Sequence, residues 1–151
     1  FFFKQKTAYE IPKRDWSSDV CSSDLAKWAI GVSGFTLLGD AKEAGKLFRA
    51  TESAWTNEGR SDRPRLVTGS FVALGPDAPT RLRSFAAEYL HVFSPELARS
   101  LADAMTLNEP SRLVDLLDAV EAEGADEFIV VPATSDPRML EILTETVANR
   151  G

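Results

Sequence analysis

The stretch Arg65-Leu-Val-Thr-Gly-Ser-Phe-Val-Ala-Leu74 decides the fold, because it predicts the longest β-strand of the chain. Apolar residues, several of them β-branched or aromatic, dominate it, and Gly75-Pro76-Asp77 ends it. Side chains alternate between the two faces of a strand, so Thr68 and Ser70 share one face. We expect the apolar residues of the other face to meet helices, with Thr68 and Ser70 turned away from them. That apolar set is Val67, Phe71 and Ala73.

On the amino-terminal side, the pattern predicts a short strand and then a helix. Ala29–Phe35 is a short apolar run that contains glycine, which favours a strand. Asp40 and Glu43 have capping-box spacing, so we expect the Asp40 carboxylate to accept the amide of the third helical residue. Gly59 ends this helix. Apolar or small residues recur within it at helical spacing, at Ala44, Leu47, Phe48, Thr51 and Trp55.

On the carboxyl-terminal side, the pattern predicts three helices before the next strand. The second helix of the chain carries Leu82, Phe85, Ala86, Tyr89 and Leu90 at helical spacing. Ser94-Pro95, an N-cap followed by proline, opens the third helix. The expected apolar stripe of the third helix is Leu97, Leu101 and Met105. The fourth helix spans Asn108–Glu123 and ends at Gly124. The residues expected on its inward side are Leu113, Leu116, Leu117 and Val120.

A third strand and a fifth helix complete the predicted series of strands and helices. Glu127–Val131 is nearly continuous in apolar residues, which is typical of a strand covered on both faces. Ser135-Asp136-Pro137 opens the last helix, whose expected inward residues are Leu140, Leu143 and Val147.

The order of elements predicts an α/β fold with a parallel sheet and right-handed crossovers. Three parallel strands make a poor independent unit, because both outer strands present open edges. We therefore expect a partial TIM (β/α)8 barrel, comprising about its last three strand–helix units, with Thr68 and Ser70 facing the barrel interior. The competing architecture is a small complete doubly wound domain.

Composition excludes several classes of protein. The chain has 151 residues, of which 44% are hydrophobic and 26% charged, and no apolar run reaches the length of a membrane span. Its net charge of −6 argues against a broad nucleic-acid or anionic-membrane surface. One cysteine and one histidine exclude a disulfide scaffold and a multi-histidine metal site. We expect a soluble cytoplasmic protein that binds neither nucleic acid nor membrane.

The first 25 residues resemble the conceptual translation of a sequencing adapter. Lys4–Ile11 and Asp15–Leu25 match its two constant parts, and Pro12-Lys13-Arg14 falls where a variable index would lie. We therefore expect residues 1–25 to be non-native and disordered, and residues 26–151 to be a carboxyl-terminal fragment whose upstream part is missing.

Residues 26–151 resemble the luciferase-like flavin-dependent oxidoreductases. Three stretches carry the resemblance: Ala26–Phe35 (AKWAIGVSGF), Gly59–Gly75 with its long strand, and Glu123–Pro132 (EGADEFIVVP). Ile30 departs from the family pattern, which often has aspartate there. The resemblance implies a TIM barrel that uses FMN or the deazaflavin F420 for monooxygenation or hydride transfer on a small organic substrate. It also allows a homo-oligomeric parent protein.

The resemblance places candidate cofactor-binding residues after the surviving strands, at Ser33, Gly34, Phe35 and Thr134. Phe35 would pack on a ring system, Gly34 would let the backbone approach it, and Thr134 would donate a hydrogen bond. The catalytic residues would lie mostly in the missing upstream strands, so we expect the fragment to be inactive. The alternative is a small complete α/β binding or interaction module without catalytic activity.

Other polar residues favour structural roles. Ser33 lacks the strand–elbow–helix context of a hydrolase nucleophile, and His91 falls at a helix end. A loop with Arg60, Arg63 and Arg65 precedes the long strand, and a phosphate contact there is less expected than a solvated loop. The residues Glu121, Glu123, Asp126 and Glu127 form an acidic cluster, and for this cluster too a solvated surface is more expected than a functional site.

Overall fold

The three predicted strands form one parallel sheet with the long strand at its centre. The computed structural model describes residues 24–150. Its strands are β1 (Gly31–Ser33), β2 (Arg65–Val72) and β3 (Glu127–Pro132), in the order β1-β2-β3. Both pairs are parallel. The α/β class and the parallel sheet are therefore confirmed.

Five helices connect and follow the strands, and each was predicted. They are α1 (Ala41–Asn57), α2 (Ala78–Leu90), α3 (Pro95–Ala104), α4 (Pro110–Ala122) and α5 (Arg138–Ala148). Within residues 24–150, none of these helices combines the length and hydrophobicity that a membrane span requires.

Three helices cover one face of the sheet. Leu66 of β2 packs with Ala44 and Phe48 of α1. Further along the same face, Val72 and Leu74 pack with a cluster from α4 and α5. The members that the two helices contribute are Leu113, Leu116, Leu117, Val120 and Met139. The burial of the four α4 residues confirms the inward side predicted for this helix.

Thr68 and Ser70 lie on this helix-covered face, so the prediction that they face a barrel interior is wrong. They share this face with Leu66 and Val72, two residues away along β2 on either side, and both are at most 1% exposed. The Ser70 hydroxyl tolerates burial because its Oγ donates to the Thr36 carbonyl at 2.7 Å. This face meets the helices in spite of its two hydroxyls, because Leu66 and Val72 at the two ends of the strand share it and pack against the helices.

The opposite face of the sheet is open along its amino-terminal half. We call Gly31, Ser33, Val67, Gly69 and Ile129 the open face. Ile129 is 44% exposed and Val67 is half-buried, so the prediction that β3 is covered on both faces is wrong. At the carboxyl end of this face, α2 and α3 cover Phe71 and Ala73, as expected for these two residues.

The predicted inward faces of two helices are confirmed only in part. In α3, Met105 is buried and Leu101 packs against the core as predicted, but Leu97 is 48% exposed, and Ala98 and Ala102 are buried as well. In α5, Leu143 is partly buried as predicted, but Leu140 and Val147 are exposed, and Met139 and Ile142 face the core instead. Helical spacing leaves the phase ambiguous when apolar residues of different types lie at adjacent positions, and the packing partner decides it.

The start of α1 also differs in detail from its prediction. The Asp40 carboxylate caps the helix by accepting the amide of Lys42, the second helical residue, at 2.9 Å. The cap therefore exists, but it is one residue closer than the capping box requires.

Arg60 and an apolar cluster of Ala26, Ala54 and Trp55 hold the segment before β1 to the end of α1. Residues 24–29 form a helical turn, in which the Ala29 amide donates to the Leu25 carbonyl. Arg60 donates to the carbonyls of Ala26 and Ala29, at 3.1 and 2.6 Å. Its Nε donates to the Asp62 carboxylate at 2.9 Å, and the guanidinium lies 4.7 Å from the centroid of the Trp55 ring. The prediction of disorder for residues 1–25 lies outside the described residues except at Asp24 and Leu25, which belong to this turn.

We predict that Arg60→Ala lowers the melting temperature of the chain by several degrees, because it leaves two helix-end carbonyls without a donor. Arg60→Lys should recover only part of the loss, since an ammonium lacks the planar fork that contacts Asp62 and both carbonyls. Thermal unfolding followed by circular dichroism measures both effects.

Arg83→Ala is the matched control. Arg83 pairs with Asp103 at 2.6 Å, but both side chains are well exposed, so its removal should have little effect. Equal melting temperatures for the Arg60→Ala and Arg83→Ala variants would show that Arg60 does not hold the segment.

Candidate functional site

The predicted cofactor-binding residues lie at one edge of the sheet, beyond the carboxyl ends of β1 and β3. The loop after β1 continues along β2, because the Gly34 and Thr36 amides donate to the Val67 and Gly69 carbonyls, each at 2.9 Å. On the other side, the Ala133 amide donates to the Val72 carbonyl at 2.8 Å. Both loops are therefore anchored to the central strand.

The three candidates at and just after the end of β1 differ in what they can offer a ligand. Ser33 is exposed on the open face and Gly34 is half-buried. Phe35 is 40% exposed, and its ring centroid lies 4.8 Å from that of Phe71 in an edge-to-face arrangement. Of the three, only Phe35 presents a large apolar surface at this edge.

Phe35 belongs to an aromatic cluster, by which we mean Phe35, Phe71, Phe85 and Tyr89. Phe71 lies at its centre, with ring centroids 5.2 Å from Phe85 and 5.1 Å from Tyr89. Tyr89 is 59% exposed, so the cluster reaches solvent through Tyr89 as well as Phe35. Edge-to-face packing of this kind holds each ring in a definite orientation.

Reasoning from the sequence missed this cluster. It assigned Phe71, Phe85 and Tyr89 to apolar strand and helix faces and singled out Phe35 alone. The available signal was the spacing of Phe85 and Tyr89, four residues apart on α2, which places both rings on one side of that helix.

Thr134 leads into a charged cluster at the start of α5. Its Oγ1 accepts the Asp136 amide at 3.2 Å, which leaves the hydroxyl proton free to donate. The Asp136 carboxylate accepts hydrogen bonds from the Arg138 side chain at 2.7 Å and from the Arg138 amide at 3.1 Å. Arg81 of α2 approaches it to 3.7 Å.

Asp136 is therefore firmly ionised. The Arg138 side chain first, and then the Arg138 amide, lower the pKa of the Asp136 carboxyl from 3.8 to about 2. Asp136 pairs with Arg81 and Arg138, and Glu141 places a second negative charge near Arg138, so this cluster offers little free positive charge to an anionic ligand.

The arginine loop and the acidic cluster pair with each other at the opposite, amino-terminal edge. Arg63 bonds Asp126, and Arg65 bonds Glu127. The Asp126 carboxylate also accepts the Leu66 amide at 2.8 Å. That backbone bond and then the Arg63 side chain lower the pKa of Asp126. Arg63 and Arg65 are thus paired at the edge of the sheet, and Arg60 pairs with Asp62, which agrees with a structural role for these arginines.

The remaining polar candidates are not brought together. His91 is exposed at the end of α2, and Ser33 is followed by a loop rather than by a helix. Among residues 24–150, no group of three or more histidine, cysteine or acidic side chains is arranged to hold a metal ion.

Comparison with protein-family models and with curated proteins gives no match to this chain. The functional interpretation therefore depends on the fold and on the geometry of the carboxyl edge.

We predict that Asp136→Asn destabilises the chain at neutral pH and that the deficit disappears in acid. A carboxyl group whose folded-state pKa lies below its unfolded value stabilises the fold above the unfolded pKa. That contribution should be complete above pH 3.8 and fall away as the pH approaches about 2. Urea unfolding of both proteins over this pH range measures the difference.

The control is Asp103→Asn, which removes an exposed carboxylate paired with Arg83. A deficit of equal size and pH dependence in both variants would contradict a special role for Asp136.

Proposed function

We propose that residues 26–151 form the carboxyl-terminal part of a luciferase-like (β/α)8 barrel, a cytoplasmic flavin-dependent oxidoreductase that uses FMN or F420. The parent enzyme acts on a small organic substrate by monooxygenation or hydride transfer. Further strands along the outer edges of β1 and β3 complete the barrel, and the chain by itself is inactive.

One observation supports this proposal above the others: α1, α4 and α5 cover one face of the sheet, while the opposite face stays open along its amino-terminal half and is covered by α2 and α3 only at its carboxyl end. The strands follow one another in chain order, and α1, α4 and α5 all pack on the same side. A barrel puts its helices outside and its apolar interior face inside. A doubly wound domain instead places helices on both faces. The exposure of Val67 and Ile129 fits the barrel better.

The carboxyl edge fits one part of a flavin. Phe35 presents an exposed ring held by the aromatic cluster, and the Thr134 hydroxyl retains a proton to donate. These groups suit the planar ring system of a flavin, which supplies the redox chemistry when bound. The compensated arginines beside Asp136 do not provide a phosphate site, so the phosphate contacts must come from elsewhere in the parent enzyme.

In this arrangement the residues of the chain bind and orient the flavin and exclude water from it. Phe35 packs against the ring system, Gly34 allows the backbone of its loop to approach, and Thr134 hydrogen-bonds a polar edge. Tyr89 and Phe71 keep the Phe35 ring in place, and the apolar cluster reduces access of water to the reacting atoms.

The alternative function is a small α/β binding or interaction module without catalytic activity. The observation in its favour is that residues 24–150 build a substantial core of their own. Two large buried clusters lie on either side of β2, one under α2 and α3 and the other under α4 and α5.

We predict that the product of the complete gene purifies with bound flavin or takes up FMN or F420. Phe35→Ala should weaken this binding by about threefold to tenfold, the value of one aromatic contact. Fluorescence titration measures the affinity. Phe93→Ala is the control, because Phe93 is 69% exposed and lies outside the aromatic cluster. A colourless protein that binds neither cofactor would overturn the proposal.

We also predict that the 151-residue chain self-associates through the open face. Ile129→Lys should shift it toward monomer, because a charge on that face opposes burial against another molecule. Leu140→Lys, on the exposed side of α5, is the control and should change little. Sedimentation velocity measures the distribution. A cooperatively melting monomer at every concentration would instead favour the complete module.

A further inference from the structure

A cavity of about 530 Å³ lies on the helix-covered side of the sheet, between the loop after β1 and helix α1. Its size falls in the range of about 300–1,000 Å³ that is usual for small-molecule sites. The residues that matter most in its lining are Gly34, Phe35, Glu43, Lys46, Leu47, Ala50 and Thr68.

Thr68 is the unusual member of this lining. Its side chain is 1% exposed, and its hydroxyl has no hydrogen-bond partner among the described residues. The neighbouring buried hydroxyls are satisfied: Ser70 donates to the Thr36 carbonyl, and Thr36 Oγ1 accepts the Asp40 amide at 2.7 Å. A buried hydroxyl without a partner destabilises a fold, so its place beside a cavity points to a ligand.

The rest of the lining defines the chemistry of that ligand. Leu47 and Ala50 provide apolar surface from α1, and Gly34 keeps the loop close to the helix, since an added Cβ there would meet Leu47 Cδ2 at 2.5 Å. Glu43 and Lys46 are exposed and carry one charge of each sign, so the lining favours neither anions nor cations.

We propose that this cavity binds a small, neutral, largely apolar organic molecule that carries one carbonyl or hydroxyl group. The apolar body of the ligand packs against Leu47 and Ala50. Its oxygen pairs with the Thr68 hydroxyl, which reaches into the cavity by rotation about its Cα–Cβ bond. The site uses only residues 34–68 and needs no further strand, although it shares Gly34 and Phe35 with the proposed flavin site.

The test uses the 151-residue chain with cyclohexanone as the probe. Cyclohexanecarboxylate has the same ring size but carries a charge, and it serves as the comparison. We expect cyclohexanone to give saturation transfer and to shift the backbone amide signals of Leu47, Ala50 and Thr68, and cyclohexanecarboxylate to bind more weakly. Absence of binding by cyclohexanone, or shifts confined to Phe71, Phe85 and Tyr89, would overturn the proposal.

Three variants of cavity residues separate binding from folding. Thr68→Val keeps the shape but removes the hydroxyl, and it should weaken cyclohexanone binding about tenfold or more. Thr68→Ser should retain binding, and Ala50→Leu should abolish it by filling the cavity. Ala104→Leu, at the exposed end of α3, is the matched control for Ala50→Leu and should bind normally.

The stability of Thr68→Val provides an independent readout. Without a ligand, this variant should melt at or above the temperature of the parent chain, because it replaces an unpaired buried hydroxyl with a methyl group. A lower melting temperature would mean that the hydroxyl already has a partner, and unchanged cyclohexanone affinity would mean that it does not bind the ligand. Either result would refute this assignment.

Discussion

The hydrogen bonds that β2 makes along both of its edges are the constraint on which the rest of the structure depends. They align β1 and β3 in parallel, and the loops after both strands continue the pairing through Gly34, Thr36 and Ala133. At the start of β2, the Asp126 carboxylate accepts the Leu66 amide and extends the pairing by a side chain. Every helix and both proposed sites are placed relative to this one strand.

The two ends of the sheet have different chemistry as a result. At the amino edge, arginines and carboxylates pair with each other and with backbone groups, which uses their charge to secure loops. At the carboxyl edge, Phe35 and Tyr89 remain exposed and Thr134 retains a hydrogen-bond donor. In parallel sheets, ligands usually bind beyond the carboxyl ends of the strands, where the loops can vary without disturbing the hydrogen bonds between the strands.

The flavin proposal and the ligand proposal also depend on different parts of the sheet. The open face and the carboxyl edge support a barrel that continues beyond these three strands. The cavity at Thr68 lies under α1, on the covered face, and needs no additional strand. The flavin proposal and the ligand proposal share Gly34 and Phe35 of the loop after β1. They can still fail separately, because only the ligand proposal depends on the Thr68 hydroxyl.

The sequence by itself determined the number, order and type of the elements, because strand and helix periodicities, Asp40, Ser94 and the flanking glycines and prolines act locally. It also located the loops at the carboxyl edge, including Phe35 and Thr134. Only the tertiary structure decided which face of β2 the helices cover, the phase of α3 and α5, and the meeting of Phe35 with Phe71, Phe85 and Tyr89. These depend on contacts between residues distant in the chain, and a local pattern is equally compatible with either face of a strand.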